Sequence, residues 1–420
     1  MLDDLMLLYI SLVVWICFLI YSIKKYGINK LGIYYFIVYA LSFFLAIDLF
    51  KKTSGRMYED LNLFSNIFLI IILYFFARPL MIINPRKMPL KHLSLRKENI
   101  LCCIIIFFSL LSLGDVITNF FTGFSMMLVD ESYGASLYRD LRYGVNFDSK
   151  SSSVSFLNLF GVVSNVFKAV SPLFCLYYLT RKDRNLFITI GLFIAMLMDI
   201  MSGISTGSRL RPIATIMNIG GLTLFLYPFY SATVKKMLSV SLITVFSITV
   251  IGVCLITMSR IRENKTDIAT SIESYASQSY LNFSKYAFDA NGCRYGDKTF
   301  PLIKRFFTDD VARGYTERLE KYKKMRINES NFIPFVGDFM LDYGPIGGPV
   351  FLLFFIIFFN RKINRLRVIN LGQLSLIYLL IVILNGFYQY PLSDYLGNLQ
   401  FLFLILLYVY FKSPKHYKQV

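Results

Sequence analysis

Histidine, cysteine and metal-binding patterns are scarce in this sequence. The 420 residues include two histidines, His92 and His416, and both fall on segments that we predict to be cytoplasmic. A site on the outer face must therefore work without histidine, and no Asp-x-Asp or His-Glu pattern predicts a metal site. Of the six cysteines only Cys293 lies in the long predicted outer loop, which excludes a disulfide framework within that loop.

Charge is also scarce, and apolar residues take its place. Charged residues make up 17% of the chain and hydrophobic residues 56%, with a mean hydropathy of +0.56. A soluble domain of this length would carry more charge, so we predict an all-α integral membrane bundle of about eleven helices, each about 20 apolar residues long. The predicted spans are approximately 5–22, 31–50, 62–84, 99–121, 154–180, 185–204, 212–231, 237–258, 339–359, 371–389 and 395–411.

The net charge of +18 is distributed in short clusters beside the apolar spans, as in Arg181-Lys182 and Arg361-Lys362. A nucleic-acid-binding protein would instead concentrate its charge on one face, so we predict no nucleic-acid partner. With the N-terminus outside, the short inner connections and the C-terminal tail hold 20 Lys and Arg residues, against 8 in the short outer connections. This asymmetry predicts a cytoplasmic C-terminus.

The connections between the spans are unequal in length. We interpret 1–420 as one polytopic domain with a smaller outer loop at 122–153 and a large one at 259–334. A stretch at 311–324 within the large loop is helix-like and charged. Transporters usually have short loops and internal repeats, and neither is present here, so the large loop favours a membrane enzyme with a site beside the bilayer.

Two arginines follow the turn Ser205-Thr-Gly-Ser, immediately before a predicted span. Arg209 and Arg211 would lie at the N-terminal end of that helix, where free N–H groups and the helix dipole favour an anion. Guanidinium groups there are suited to bidentate contacts with phosphate oxygens. A structural alternative is that these side chains extend to lipid headgroups. A second pair, Arg260 and Arg262, follows the eighth predicted span where the large loop begins. These residues are either functional or ordinary cations at a helix C-terminus, where they complement the helix dipole and anchor the helix at the interface.

Two carboxylates stand at the other end of the large loop, in Phe335-Val-Gly-Asp-Phe-Met-Leu-Asp-Tyr-Gly. If this segment is helical, Asp338 and Asp342 share a face, because they are four residues apart. Gly344, together with the glycines at 347 and 348, permits a tight bend or a close approach of helices. We therefore expect two neighbouring carboxylates where the chain returns to the membrane.

With these features the chain resembles the Wzy-type polymerases of O-antigen and capsular polysaccharide repeat units. The resemblance is carried by Thr206-Gly-Ser-Arg209, by Gly337-Asp-Phe-Met-Leu-Asp-Tyr-Gly344, and by the plan of ten to twelve helices with one large outer loop. It implies a glycosyltransferase of the bacterial cytoplasmic membrane. Such an enzyme transfers a growing glycan from polyprenyl pyrophosphate to the next lipid-linked repeat unit.

The resemblance also implies roles for individual residues. Pyrophosphate leaves without protonation but needs positive partners, and a carboxylate would take the proton of the attacking hydroxyl. No cofactor is implied; the expected partners are lipid-linked oligosaccharides, membrane lipids, a chain-length regulator and a flippase. The predicted site comprises Asp338 and Asp342 as alternative bases, Arg209, Arg211, Arg260 and Arg262 for pyrophosphate, and Tyr133, Tyr138, Tyr143 and Tyr275 for sugar rings.

Two other function classes stay open at this point. A flippase for lipid-linked oligosaccharides would explain the charges inside predicted spans, such as Asp115, Lys168 and Asp199. A receptor or assembly protein would use the large loop as a binding module. The related O-antigen ligases are expected to carry a histidine in this loop, and this chain has none there.

Overall fold

The structure is a computed structural model that describes residues 3–53, 58–129, 133, 136, 156–264, 268–312 and 314–412, with the backbone alone at 128, 156–159, 259–260, 262–264, 268–269 and 272. The described residues form helices and no strand beyond a single bridge between Leu90 and Ile369. The helices are α1 Asp4–Tyr26, α2 Leu31–Lys52, α3 Leu63–Ile82, α4 Leu95–Leu110, α5 Leu113–Val129, α6 Phe156–Tyr178, α7 Leu186–Ser205, α8 Leu210–Leu226, α9 Ala232–Asn264, α10 Ile268–Tyr286, α11 Pro301–Arg305, α12 Tyr315–Lys321, α13 Phe335–Ile363, α14 Leu371–Leu384 and α15 Asp394–Phe411.

The predicted class, an all-α polytopic membrane bundle, is confirmed. In the described part of the chain nine helices are long and apolar enough to cross a bilayer, and a tenth span results if α4 and α5, bent by 48°, are counted together. The predicted span 371–389 corresponds to α14, which has only 14 residues. At 1.5 Å per residue α14 is about 21 Å long, shorter than the roughly 30 Å of a bilayer core.

Local sequence signals begin and end several of these helices. Asn62 precedes α3 and Asn185 precedes α7, and each side chain accepts a hydrogen bond from the amide two residues later, 2.9 Å to Phe64 and 2.8 Å to Phe187. These bonds satisfy N–H groups that have no partner within the helix. Lys24 in the last turn of α1 lies at the negative end of the helix dipole.

The chain divides into two compact units. Unit 1 comprises Met1–Asn84, Asp267–Leu366 and Val382–Asn398. Within it, α2 packs against α1, α3 and α10, and α13 packs against α3. Aromatic residues fill this core: the ring of Trp15 lies 4.7 Å from that of Phe36.

Unit 2 comprises Pro85–Thr266, Arg367–Ile381 and Leu399–Val420. Within it, α6 packs against α4, α7 and α8, and α9 lies against α5, α7 and α8. A buried ion pair connects the start of α4 to the chain after α6, because Arg181 Nη1 lies 2.8 Å from Glu98 Oε2.

The two predicted outer loops contain more helix than loop where the structure describes them. α9 continues to Asn264, and α10, α11 and α12 follow within the large loop. Of the helix-like charged stretch at 311–324, α12 occupies residues 315–321. Residues 137–155 of the smaller loop lie outside the described residues, and α5 extends into that loop as far as Val129.

A sharp break divides α13 after its second turn. Gly344 has a φ of 74° and a ψ of −179°, a conformation that is almost restricted to glycine, and Pro345 starts the next helical segment. Gly348 then lies so close to the first segment that an added Cβ would be 2.8 Å from the Cα of Met340. The predicted bend and close approach are both present, and Asp338 and Asp342 lie in the first segment.

Replacing Gly344 by alanine should destabilise the protein by about 1–3 kcal/mol, because the backbone conformation excludes a Cβ. Empty space surrounds this position, so the cost would come from the backbone and not from a clash. Gly220→Ala is the matched control, because it lies inside α8 and also faces empty space. Thermal unfolding in detergent should show a lower midpoint for Gly344→Ala alone; equal midpoints would contradict this account.

Candidate functional site

The predicted carboxylates of α13 share one cation. Asp338 and Asp342 lie one turn apart, both are fully buried, and both face Arg294 from the large loop. Arg294 Nη2 lies 3.0 Å from Asp338 Oδ1, and its Nε lies 2.6 Å from Asp342 Oδ1, the latter an ion pair without hydrogen-bond alignment. The i, i+4 spacing therefore places both negative charges on a single guanidinium group.

The remaining carboxylate oxygens bind other parts of unit 1. Asp342 Oδ2 accepts three hydrogen bonds, from Thr299 N and Oγ1 at 2.7 Å each and from Lys298 N at 3.2 Å. Asp338 Oδ2 accepts a 2.6 Å bond from Tyr390 N, and its Oδ1 lies 3.0 Å from Lys298 Nζ. These bonds attach the segment around residue 298 and the chain before α15 to the start of α13.

A third buried acid extends the charge network towards α12. Glu329 Oε2 lies 2.8 Å from Arg294 Nη1, and its Oε1 lies 2.8 Å from Arg318 Nε. Arg318 Nη1 in turn lies 2.6 Å from the half-exposed carboxylate of Asp394. We call the six buried residues the Arg294 cluster: Arg294, Lys298, Arg318, Glu329, Asp338 and Asp342.

Two members of the cluster outside the membrane spans, Glu329 and Arg294, have pKa values shifted towards their charged forms. Burial raises the pKa of Glu329, but the charges of Lys298, Arg294 and Arg318 outweigh burial and hold its pKa well below the usual range. Burial lowers the pKa of Arg294, and its three carboxylate neighbours reverse this and raise it. Glu329 and Arg294 therefore form a fixed ionic contact at neutral pH.

A cavity of about 350 Å³ lies beside the cluster, within the roughly 300–1,000 Å³ range of small-molecule sites. Its wall carries five basic side chains and a single acid, Glu329, whereas Asp338 and Asp342 lie behind the wall. The lining residues are Arg294, Lys298, Arg318, Leu319, Tyr322, Lys323, Met325, Arg326, Ile327, Asn328, Glu329, Asn331, Ile333 and Leu341.

Asp297 holds the other side of this segment in place. It is fully buried, forms an ion pair with Lys304, lies 3.0 Å from Lys321 Nζ and accepts a 2.6 Å hydrogen bond from the hydroxyl of Tyr322. Burial raises the pKa of Asp297, but its bonds to Lys304, Tyr322 and Lys321 lower it below the usual range. Because Tyr322 lines the cavity, Asp297 determines part of its wall without being exposed in it.

The predicted arginine turn belongs to unit 2. Gly207, with a φ of 62°, makes the turn after α7, and Arg209 and Arg211 lie at the start of α8 as predicted. Arg211 Nη2 lies 2.7 Å from the oxygen Oδ1 of Asp199 on α7, and the other oxygen accepts a 2.5 Å bond from the hydroxyl of Thr215. Arg211 therefore has a partner of its own, and its side chain is about one-third exposed, at 31%.

The other predicted site residues are distributed as follows. Arg260 and Arg262 lie in the last turns of α9, with side chains outside the described set. Tyr138 and Tyr143 also lie outside the described residues, and Tyr133 is helical. Tyr275 packs into an aromatic group of unit 1, with ring centroids 5.4 Å from Phe332 and 4.7 Å from Tyr388.

The chain matches no family model, no curated protein and no solved structure. Among the residues that the structure describes, no group of three or more His, Cys, Asp or Glu side chains is arranged to hold a metal ion. The chemistry of the site is therefore argued from its own side chains.

Sequence reasoning found the two aspartates and missed their partners. These partners all lie in the large loop: Arg294, Lys298, Arg318 and Glu329. Along the chain they are between 9 and 48 residues away from the two aspartates. The available signal was physical: two acids flanked by apolar residues need buried cations, and the adjoining loop is rich in them. This electrostatic requirement predicts a cationic partner but does not determine which residue it is.

Replacing Glu329 by glutamine should destabilise unit 1 by about 3 kcal/mol at pH 7, because two buried arginines lose a counter-charge. The folded pKa of Glu329 is below that of an unfolded glutamate, about 4.3, so its stabilisation is complete above that pH and is lost as the pH falls further. The midpoints of wild type and variant should converge in acid. Exposed Glu320→Gln is the control, and a gap that does not change with pH would contradict the ionic account.

Proposed function

We propose that the protein is a membrane glycosyltransferase that polymerises polyprenyl-pyrophosphate-linked oligosaccharide repeat units into a surface polysaccharide of a bacterium. It would act on the outer face of the cytoplasmic membrane, with its N-terminus outside and its C-terminus in the cytoplasm. The sequence resemblance to repeat-unit polymerases suggests this reaction, and the arrangement of unit 1 supports it.

One observation carries the proposal. The carboxylates at the start of the membrane-spanning helix α13 hold Arg294 and Lys298 in the wall of a cavity made by the large loop. A polar, cationic cavity attached directly to a span suits a substrate with an anionic, hydrophilic part and a lipid anchor. Lipid-linked oligosaccharides have this composition.

The proposed reaction is a displacement at the anomeric carbon. A hydroxyl oxygen of the incoming repeat unit forms a bond to C1 of the growing glycan, and the bond from C1 to the pyrophosphate oxygen breaks. Both electrons of that bond leave with the polyprenyl pyrophosphate, and the hydroxyl proton passes to a carboxylate. The leaving group needs positive charge, because negative charge develops on it in the transition state.

Asp338 and Asp342 stay the predicted bases, and the structure adds a condition to that role. Each is fully buried. Both oxygens of Asp338 accept hydrogen bonds, whereas Asp342 accepts them on Oδ2 and has only the ion pair with Arg294 at Oδ1, so a base function requires that a substrate group displaces one of these partners. Arg209, Arg211, Arg260 and Arg262 stay the predicted partners of the pyrophosphate, with Arg211 leaving Asp199 for it. Tyr275 stays a predicted sugar contact.

A strain that lacks this gene tests the proposal through the length distribution of its surface polysaccharide. Single repeat units at the surface without longer chains would support polymerisation, because export continues while chain growth fails. Absence of repeat units from the surface, with lipid-linked units accumulating inside the cell, would show a flippase and overturn the proposal. An unchanged polysaccharide would overturn it as well.

Point variants of the purified protein separate a catalytic carboxylate from a structural one. If Asp342 is the base, Asp342→Asn should lower the polymerisation rate per folded molecule by about 100-fold or more, the usual contribution of general base catalysis. Asp338→Asn tests the alternative base in the same way. Asp297→Asn is the matched control, since it removes a fully buried, multiply bonded carboxylate of the large loop that does not itself line the cavity.

Rates are normalised to the folded fraction, measured by size-exclusion chromatography and thermal unfolding. A loss with Asp297→Asn as large as with the two α13 variants would mean that all three residues act through stability. That result would remove the base role from Asp338 and Asp342.

A further inference from the structure

The cavity of the large loop carries an inference that rests on the proposed function and makes its substrate more specific. We infer that this cavity binds a sugar bearing a single negative charge, such as a uronic acid, so that the polymerised repeat unit is acidic. Three features of the cavity support this: its position, its charge balance and its mixed lining.

The cavity lies in the large loop, away from the membrane surface where the phosphate of a lipid lies. Among its lining residues only Leu341 belongs to a membrane-spanning helix, and all the others come from 294–333 in the large loop. A group bound here is therefore held by the extramembrane loop. In a lipid-linked oligosaccharide the sugars extend into this region, whereas the pyrophosphate stays at the membrane surface.

The charge balance favours one negative charge over several. Five basic residues face the cavity together with Glu329, and four more acids outside the lining are their ion-pair partners: Asp338, Asp342, Asp394 and Asp289. The whole assembly is thus close to neutral, while the charged groups that face the cavity are, apart from Glu329, hydrogen-bond donors. A pyrophosphate, with at least two charges, would lack compensation here, whereas a carboxylate would be bound by the rim cations.

The cations at the rim of the cavity are exposed and can exchange their present partners for another anion. Lys323 is exposed on the cavity wall, and Arg326, also exposed, forms an ion pair with exposed Asp289. Exposed ion pairs contribute little to stability and exchange readily for another anion. Arg294 and Arg318, by contrast, are almost completely buried and fixed by their carboxylates.

The uncharged part of the lining fits a sugar ring. Asn328 and Asn331 provide amide donors and acceptors for hydroxyl groups. Tyr322 presents a ring, and Leu319 and Ile327 provide apolar surface for the C–H face of a pyranose. An isolated phosphate would use none of these surfaces.

Binding to the purified full-length protein in lipid nanodiscs tests this inference with three probes. They are a glucuronate-containing disaccharide, the matched neutral glucose disaccharide and geranyl pyrophosphate. We expect the acidic disaccharide to bind at least about tenfold more tightly than the neutral one, equivalent to about 1.4 kcal/mol. Its affinity should fall with salt, because exposed charges are screened.

Substitutions of the rim cations test whether the acidic disaccharide binds in this cavity. The double variant Lys323→Gln with Arg326→Gln should bind the acidic disaccharide about tenfold more weakly and leave the neutral one unchanged. Lys324→Gln is the matched control, because Lys324 is an exposed neighbour that does not line the cavity. Both variants change exposed side chains, so thermal unfolding should be unaffected.

The results distinguish failure of this inference from failure of the proposed function. Equal affinity for the acidic and neutral disaccharides, or no binding of either, would overturn the inference. Competition by geranyl pyrophosphate that depends on Lys323 and Arg326 would also overturn it and assign the cavity to the lipid phosphate. Loss of long polysaccharide in the deletion strain would leave the polymerase proposal standing in each of these cases. If the deletion strain keeps its polysaccharide while the protein binds the acidic disaccharide selectively, the polymerase proposal is overturned and the sugar-binding site still stands.

Discussion

The contact of Arg294 with three carboxylates is the interaction on which the rest of unit 1 depends. Burying one unpaired charge costs several kcal/mol, and the side chains of Arg294, Asp338, Asp342 and Glu329 are all at most 7% exposed. Removing one member leaves the charge of another buried without its partner, so the four residues stabilise one another. The group joins three parts of the chain: the large loop, the first turns of α13 and the chain before α15.

This constraint explains why the large loop is ordered where it adjoins the span. A segment of more than 30 residues with few apolar side chains would be expected to move over the surface. Here buried acids fix it at intervals: Asp342 binds the backbone at 298 and 299, and Asp297 binds α11 and α12 through their lysines. The cavity wall is consequently held by the membrane helix, as a binding site requires of its supporting residues.

The break at Gly344 completes this arrangement. It separates a short first segment of α13, which carries the two acids, from the long apolar segment that follows. Because the acids lie before the break, they face the loop and not the lipid. Unit 2 also pairs a carboxylate of an apolar helix with an arginine: Asp199 forms an ion pair with Arg211 at the N-terminal end of α8. Both units thus carry paired charges at the ends of apolar helices.

The sequence by itself determined the features that depend on local composition. Apolar runs predicted the membrane class and most spans, the i, i+4 spacing predicted that Asp338 and Asp342 share a face, and the glycines predicted the bend of α13. These follow from hydrophobicity and backbone geometry within a few residues. Only the tertiary structure decided which cations the two acids bind, that Glu329 joins them, and that the loop encloses a cationic cavity. Such contacts join residues up to about 50 positions apart, and many basic residues of the loop satisfy the same electrostatic requirement. The choice of Arg294 among them depends on how the whole loop packs, and packing is not encoded in any short segment.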